Sequence, residues 1–334
     1  MKLVEKVALA AGVALLGWLV YRIGPGALWA QLSQVSWGFL LVLGLHGVTV
    51  LINTLGWRMT LPPQRRDVPL FPLSGMLVVG EAVNALTPAA VVGGDLVRIS
   101  LLARFVPLET AVGSVGQAAT AQFLSQVLFV LSGVPLALAA LPGGGLRMGL
   151  AALSAVLLVV VALVLYIGWS REGSARIRRR LETIAWFRAR WTAPGSRWRA
   201  FAEEALGGLR NRPRDFALSV GFSLIAWLLG IVEVFLILQL LKAPVGWATA
   251  FVIEVLSVAI EGVLFFVPAK VGTQEGGKYV IFLALGLDPV NGVALGFVRR
   301  LRAIAWAAVG LAVFGALQSR RAHPQPIPPA ASPR

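Results

Sequence analysis

The sequence predicts an all-α, polytopic integral membrane protein with about eight to ten membrane-embedded segments. Of its 334 residues, 57% are hydrophobic and only 13% are charged, whereas soluble domains average about 25% charged residues. Apolar runs repeatedly reach the ~20 residues that a helix needs to cross a bilayer. The net charge of +15 lies mostly between these runs, which is typical of membrane topology rather than of nucleic-acid binding.

Six apolar runs are predicted to cross the membrane completely: 7–23, 37–60, 108–141, 146–169, 216–241 and 289–317. The first resembles a signal peptide, but no convincing small-residue cleavage site follows, and we interpret it as an uncleaved helix. The short stretch 27–35 has apolar residues spaced for one helical face, which favours a position in the membrane interface.

Two further segments, 78–105 and 247–285, are predicted to be broken or re-entrant helix pairs. Pro88 interrupts the first and Pro268 the second, and proline ends or kinks a helix. Each resulting arm is short for a full crossing. The alternative is a pair of ordinary proline-kinked hairpins with no role in transport.

These two segments repeat each other at an offset of 180 residues. Their matching positions are Glu81 with Glu261, Pro88 with Pro268, Asp95 with Glu275 and Arg98 with Lys278. The predicted topology has the two segments entering from opposite sides, so the halves would be inverted repeats, a common arrangement in secondary transporters. The first repeat would cover about 37–140 and the second about 217–318 of a single membrane domain, 1–318.

Positive charge predicts the orientation. The segment 170–214 carries twelve Arg and four Glu within 171–214, interleaved with aromatic residues, which favours an amphipathic cytoplasmic segment that binds anionic lipid. Both termini are predicted on the same side, in a bacterial inner (cytoplasmic) membrane. The Pro-, Arg- and Ala-rich tail, 319–334, is predicted to be disordered.

Ionisable residues at membrane depth predict the functional site, because burying a charge there costs about 2.5–3.5 kcal/mol on insertion scales. In each helix pair an acid and a base lie three residues apart, as in Asp95 and Arg98. This spacing favours a local ion pair. The alternative is a site for an anionic head group near a glycine-rich helix start. The candidate substrate-binding residues are Glu81, Asn84, Gly93, Gly94, Asp95, Arg98, Glu254, Glu261, Lys270, Gln274, Glu275, Lys278, Arg299, Arg300 and Arg302.

Three interpretations stay open for the individual groups. Glu254 and Glu261 are either proton-coupling carboxylates or structural hydrogen-bonding acids. The arginines at 299–302 indicate a wet cavity or acidic partners, among which Glu254 or Glu261 are candidates. The polar residues Gln117, Thr120, Gln122 and Gln126 are either hydrogen-bonding contacts between helices, the commoner role, or part of a substrate path. His46, with Asn53 seven residues on, is interpreted as an interhelical hydrogen bond.

The sequences EAVNALTPAAVVGGDLVRISLLARF (81–105), VPAKVGTQEGGKYVIFLALGL (267–287) and VRRLRAIAW (298–306) resemble the flippase-like transmembrane family. That family includes the membrane domain of lysylphosphatidylglycerol synthases and stand-alone, hopanoid-associated relatives. The resemblance covers roughly residues 7–317 and implies lipid translocation or lipid binding without aminoacyl-transfer chemistry. Lys270 stands where many relatives have small or apolar residues, so it is a candidate determinant of the substrate.

We therefore predict a lipid translocase that moves a polar-headed or anionic membrane lipid between leaflets. No catalytic residues, cofactor, metal site or nucleic-acid partner are predicted, since Cys is absent, the two His are far apart and no nucleotide-binding loop is present. The alternative is a non-transporting scaffold or accessory protein of a lipid or glycan biosynthetic pathway.

Overall fold

The computed structural model describes residues 17–18, 21, 24–86, 92–169, 210–264 and 272–319. Several predictions fall outside these residues: most of the first crossing helix at 7–23, the residues Pro88, Pro268 and Lys270, the arginine-rich segment up to residue 209, and the tail from residue 320.

The described residues form ten α-helices, numbered here in chain order. They are α1 Pro25–Val35, α2 Phe39–Thr60, α3 Leu70–Leu86, α4 Val92–Leu102, α5 Leu108–Ala140, α6 Gly145–Trp169, α7 Pro213–Leu240, α8 Trp247–Val263, α9 Thr273–Ala284 and α10 Pro289–Ser319. Proline marks several of the starts, as in α7 and α10, because its missing N–H needs no partner in the first helical turn. The all-α prediction is confirmed for the described chain.

Four described stretches are long and apolar enough to cross a membrane: Leu28–Thr60, Leu108–Ala140, Gly145–Tyr166 and Pro213–Leu240. Helix α10 has a similar length of 31 residues but carries three arginines near its middle. On α6, Val159 is 67% exposed and Leu158 is 58% exposed, which is typical of a lipid-facing surface. The structure is therefore that of a polytopic helical bundle, as predicted.

The two segments predicted to be broken form two helix pairs of nearly equal dimensions. Helices α3 and α4 have 17 and 11 residues, and α8 and α9 have 17 and 12 residues. The members of each pair pack against each other. Each pair precedes a helix of more than 30 residues, since α5 has 33 and α10 has 31.

Packing between helices α2–α5 and helices α7–α10 follows a reciprocal pattern. Helix α2 packs along α7, the first helix of the other group. Helix α3 packs against α10, and its counterpart α8 packs against α5. If α2–α5 are exchanged with α7–α10 in order, the same pairs of helices are therefore in contact.

Glycines allow the closest helix contacts. A side chain at Gly133 of α5 would overlap Val255 of α8, and one at Gly310 of α10 would lie 2.8 Å from the backbone oxygen of Val78 on α3. Small residues at such crossings let helix backbones approach closely. The van der Waals contacts that result stabilise helix packing in lipid, where no hydrophobic driving force acts between helices. The reciprocal α5–α8 and α3–α10 contacts thus both depend on glycine.

An ionic cluster joins the end of α2 to the start of α7. Arg66 forms an ion pair with Asp215 at 2.7 Å and donates to the backbone oxygens of Met59 and Leu61 at 2.9 and 3.1 Å. Arg212 donates to the backbone oxygen of Thr60 at 3.0 Å. These bonds satisfy carbonyl groups that the end of α2 leaves without helical partners, and they close this end of the α2–α7 pair.

Candidate functional site

A polar chamber lies between α2 and α7, beyond the ionic cluster that closes their ends. It consists of two neighbouring cavities, called here the smaller lobe, of about 30 Å³, and the larger lobe, of about 190 Å³. Asn53 of α2, Gln122 of α5 and Ser223 of α7 line both lobes. Polar groups at this depth of a membrane bundle face a cavity or one another, so the chamber is the candidate functional site.

Arg98 of α4 is the basic group of the smaller lobe, and Glu81 of α3 lies beside it. Its guanidinium is 3.2 Å from the carboxylate of Asp95, so the ion pair predicted from their three-residue spacing is present. Gly80 makes room for Arg98, because any side chain at that position would overlap it. The Nε atom of Arg98 is buried and has no hydrogen-bond partner among the described residues.

Asn84 and Gly94 join α3 to α4 rather than lining the chamber. The amide N–H of Gly94 donates to the Asn84 side-chain oxygen at 2.8 Å. The start of α4 lies so close to α3 that a side chain at Gly94 would overlap the Gly80 backbone oxygen. A head-group site at the glycine-rich start of α4 was one of two alternatives, and in this structure the Gly94 amide already has a partner.

Arg299 of α10 is the centre of the ionic network beside the larger lobe. Its guanidinium is 2.8 Å from Glu254 of α8 and 3.2 Å from Glu233 of α7. It also donates to the backbone oxygen of Gly230 at 3.2 Å. Arg299 is only 7% exposed, so these contacts balance a charge that would otherwise be unsupported at this depth.

Glu233 connects Arg299 to a second arginine. Its other carboxylate oxygen contacts Arg302, one helical turn further along α10. Two guanidinium groups therefore share one carboxylate at the wall of the larger lobe. The sequence suggested Glu254 or Glu261 as partners of the arginines; the contact with Glu254 is present, but Glu233 was not among the candidate site residues.

Lys278 of α9 is completely buried, and its ammonium lies 3.4 Å from Glu261 of α8. Gln274 also donates to Glu261, at 3.4 Å. Glu275, which the sequence spacing places three residues from Lys278, instead accepts two hydrogen bonds from Arg300 at 2.6 and 2.9 Å. In this half of the chain, partners from other helices replace the local pairing that the spacing favours.

His46 of α2 contacts residues of two other helices at the chamber. Its Nε2 atom is 3.9 Å from the carboxylate of Glu81 on α3, and its ring contacts Trp306 of α10 edge to face, with centroids 5.3 Å apart. His46 lines the larger lobe, whereas Glu81 lines the smaller one. The pair therefore connects the walls of the two lobes.

The structure divides the predicted site residues into two sets. Those that line the chamber are Glu81, Arg98, Glu254, Glu261, Gln274, Arg299 and Arg302. Those that lie outside its lining are Asn84, Gly93, Gly94, Asp95, Glu275, Lys278 and Arg300. Asp95 and Lys278 each pair with a lining residue, while Lys270 lies outside the described residues.

Further lining residues escaped the sequence prediction. They include Glu233, His46, Thr49, Asn53, Ser223 and Trp227. A signal existed for some of them, because Glu233 is an isolated acid in an apolar helix, and His46, Thr49 and Asn53 recur at helical spacing on α2. Within the described residues, no group of three or more His, Asp or Glu side chains could hold a metal ion.

The fold and the chamber define a class: polytopic α-helical membrane proteins with an internal polar cavity supported by buried ion pairs. The family described as "Lysylphosphatidylglycerol synthase TM region" matches residues 6–312, and the chain belongs to this family. It is also similar to a protein described as "UPF0104 membrane protein" from Methanothermobacter thermautotrophicus, with 26% identity over 309 residues, 88% of this chain and 90% of that protein. No solved structure is significantly similar.

Proposed function

We propose that this protein moves a polar-headed or anionic lipid from one membrane leaflet to the other. The observation that carries the proposal is the polar chamber in the middle of the bundle, whose ionic lining comes from both α2–α5 and α7–α10. A polar head group cannot cross hydrocarbon cheaply, and such a chamber offers it polar contacts at membrane depth. The proposed activity makes and breaks no covalent bond.

An inverted repeat would explain how the chamber serves both leaflets. The equal dimensions of the α3–α4 and α8–α9 pairs and the reciprocal packing of the two groups of helices support it. In transporters built this way, one repeat moves against the other around a fixed central site. We place the ionic cluster of Arg66 and Asp215 on the cytoplasmic side, in the same orientation as the arginine-rich segment and both termini.

Arg98 and Lys278 occupy matching positions in the two proposed repeats, and they provide the test. Replacing both by alanine is expected to slow lipid translocation about tenfold or more, because Arg98 lines the chamber and Lys278 holds the lining residue Glu261. A hydrogen bond to a charged group is worth about 1.5–3 kcal/mol. The measurement is the rate at which a fluorescent anionic lipid becomes accessible to an impermeant quencher in proteoliposomes.

Arg65→Ala with Lys242→Ala is the matched control, because it removes the same two charges from exposed positions outside the chamber. Since Lys278 is fully buried, the single variant Arg98→Gln is measured as well, to separate loss of transport from loss of folding. Translocation at the wild-type rate in both chamber variants would refute the proposed role of these residues.

A further inference from the structure

The carboxylate of Glu233 lies where two arginines converge. It is 3.2 Å from the Arg299 guanidinium through one oxygen and contacts Arg302 through the other. All three side chains line the larger lobe. Two guanidinium groups around one oxyanion form an arrangement that binds carboxylates and phosphates equally well, because both present oxygens to planar N–H donors.

The two arginines keep unused hydrogen-bonding capacity. The Nε atoms of Arg299 and Arg302 are buried and have no hydrogen-bond partner among the described residues. Arg299 would stay supported without Glu233, because Glu254 and the Gly230 backbone oxygen also hold it. A buried donor without a partner is unfavourable, so the pair of arginines is suited to an anion with more acceptor oxygens than one carboxylate has.

We propose that Glu233 is an internal substitute ligand. It occupies, in the free protein, the site at which Arg299 and Arg302 bind the phosphate group of the translocated lipid. Phosphate and the Glu233 carboxylate then exchange at the two arginines. This inference rests on the proposed function and adds to it a phosphate subsite in the larger lobe, which at about 190 Å³ is more than ten times the ~10–15 Å³ of cavity space that one water needs.

The charge balance of the cluster determines the sign of the expected effect. Arg299 and Arg302 are balanced by Glu233 and Glu254, so the four side chains are neutral together. Replacing Glu233 by glutamine leaves one uncompensated positive charge beside the lobe and removes the competing oxyanion. Both changes favour an incoming phosphate, so Glu233→Gln is expected to bind anionic head groups more tightly than the wild type.

The experiment measures binding to the full-length protein in neutral detergent, by isothermal titration with short-chain phosphatidylglycerol and, separately, with inorganic phosphate. Glu233→Gln is expected to lower the Kd about tenfold, and Arg302→Gln to raise it about tenfold. Glu275→Gln is the matched control: it neutralises a buried carboxylate of α9 that pairs with Arg300 of α10 but lies outside the chamber lining. Its Kd should equal that of the wild type.

The double variant Glu233→Gln with Arg302→Gln removes the acid and one of its bases together, so it remains informative if the single variant fails to fold. It is expected to lose the tighter binding. Binding of both ligands supports a site for phosphate itself, and binding of the lipid alone supports a phosphate site that also needs acyl contacts.

Equal or weaker binding in folded Glu233→Gln, equal gains in Glu275→Gln, or a double variant that binds as tightly as folded Glu233→Gln would overturn the inference. Because binding is measured without translocation, this failure is separable from failure of the proposed function. If the predicted binding pattern holds while proteoliposomes show no lipid movement, the phosphate subsite stands and the translocase proposal falls.

Discussion

Replacing Arg299 by methionine is expected to destabilise the protein by about 3–5 kcal/mol, the cost of removing one partner from a buried ionic network. Arg299 contacts Glu233 and Glu254 at 3.2 and 2.8 Å, and both glutamates are slightly more buried than the arginine itself. Without the guanidinium, Glu254 loses its ion-pair partner and Glu233 keeps only Arg302. The measurement is the unfolding transition of purified protein, followed by its intrinsic tryptophan fluorescence.

Two comparisons separate this effect from a general loss of charge. Arg147→Met removes an arginine from the exposed start of α6 and should change stability by less than about 0.5 kcal/mol. Arg299→Met combined with Glu254→Gln should recover part of the loss, because one uncompensated carboxylate is removed as well. If Arg299→Met unfolded like the wild type, the network would not be the support that its geometry indicates.

Replacing Gly94 by valine is expected to separate α3 from α4 and to destabilise the protein by about 1–3 kcal/mol or more, the usual range for overpacking. A Cβ atom at this position would overlap the backbone oxygen of Gly80 and lie 2.7 Å from the side-chain amide of Asn84. Backbone atoms cannot move aside as a flexible side chain can. The hydrogen bond between the Gly94 amide and Asn84 would be lost at the same time.

Gly149→Val provides the matched control for Gly94→Val. Gly149 also lies within a helix, α6, but nothing comes within 4 Å of the position of its added Cβ. The control should therefore leave the unfolding transition close to that of the wild type. Equal stability of the two valine variants would show that the close approach of α3 and α4 is not required by the fold.

The sequence predicts the helices better than it predicts which charged side chains pair with each other. Four of the six predicted crossings, 37–60, 108–141, 146–169 and 216–241, correspond to described stretches that are long and apolar enough to cross a membrane, because bilayer thickness alone requires that length. For Asp95 and Arg98 the three-residue spacing left open a local ion pair or a head-group site, and it did produce the ion pair. The same spacing in Glu275 and Lys278 did not, since α10 supplies Arg300 to Glu275 and α8 supplies Glu261 to Lys278.

The chamber itself depends on contacts between residues that are distant in sequence. Glu233 and Arg302 meet because α7 packs against α10, and no local pattern specifies that neighbour. His46 meets Glu81 for the same kind of reason, across α2 and α3. Periodicity indicates which side chains share a face of one helix, but the facing helix is chosen by packing across the whole bundle.

The most direct test of the central claim is whether water reaches the polar chamber from both sides of the membrane. Gln122 lines both lobes, and its neighbour Phe123 is 45% exposed on the same helix and should face lipid. Since the chain contains no cysteine, Gln122→Cys and Phe123→Cys introduce single thiols. An impermeant thiol reagent is then added to right-side-out and to inverted vesicles.

We expect the thiol at position 122 to react with reagent from either side, because an alternating chamber opens to each face in turn. The thiol at position 123 should stay unreactive in hydrocarbon, where the reactive thiolate is not formed. Reaction at position 122 from one side only, or at a rate no higher than at position 123, would contradict a chamber that carries lipid head groups across the membrane.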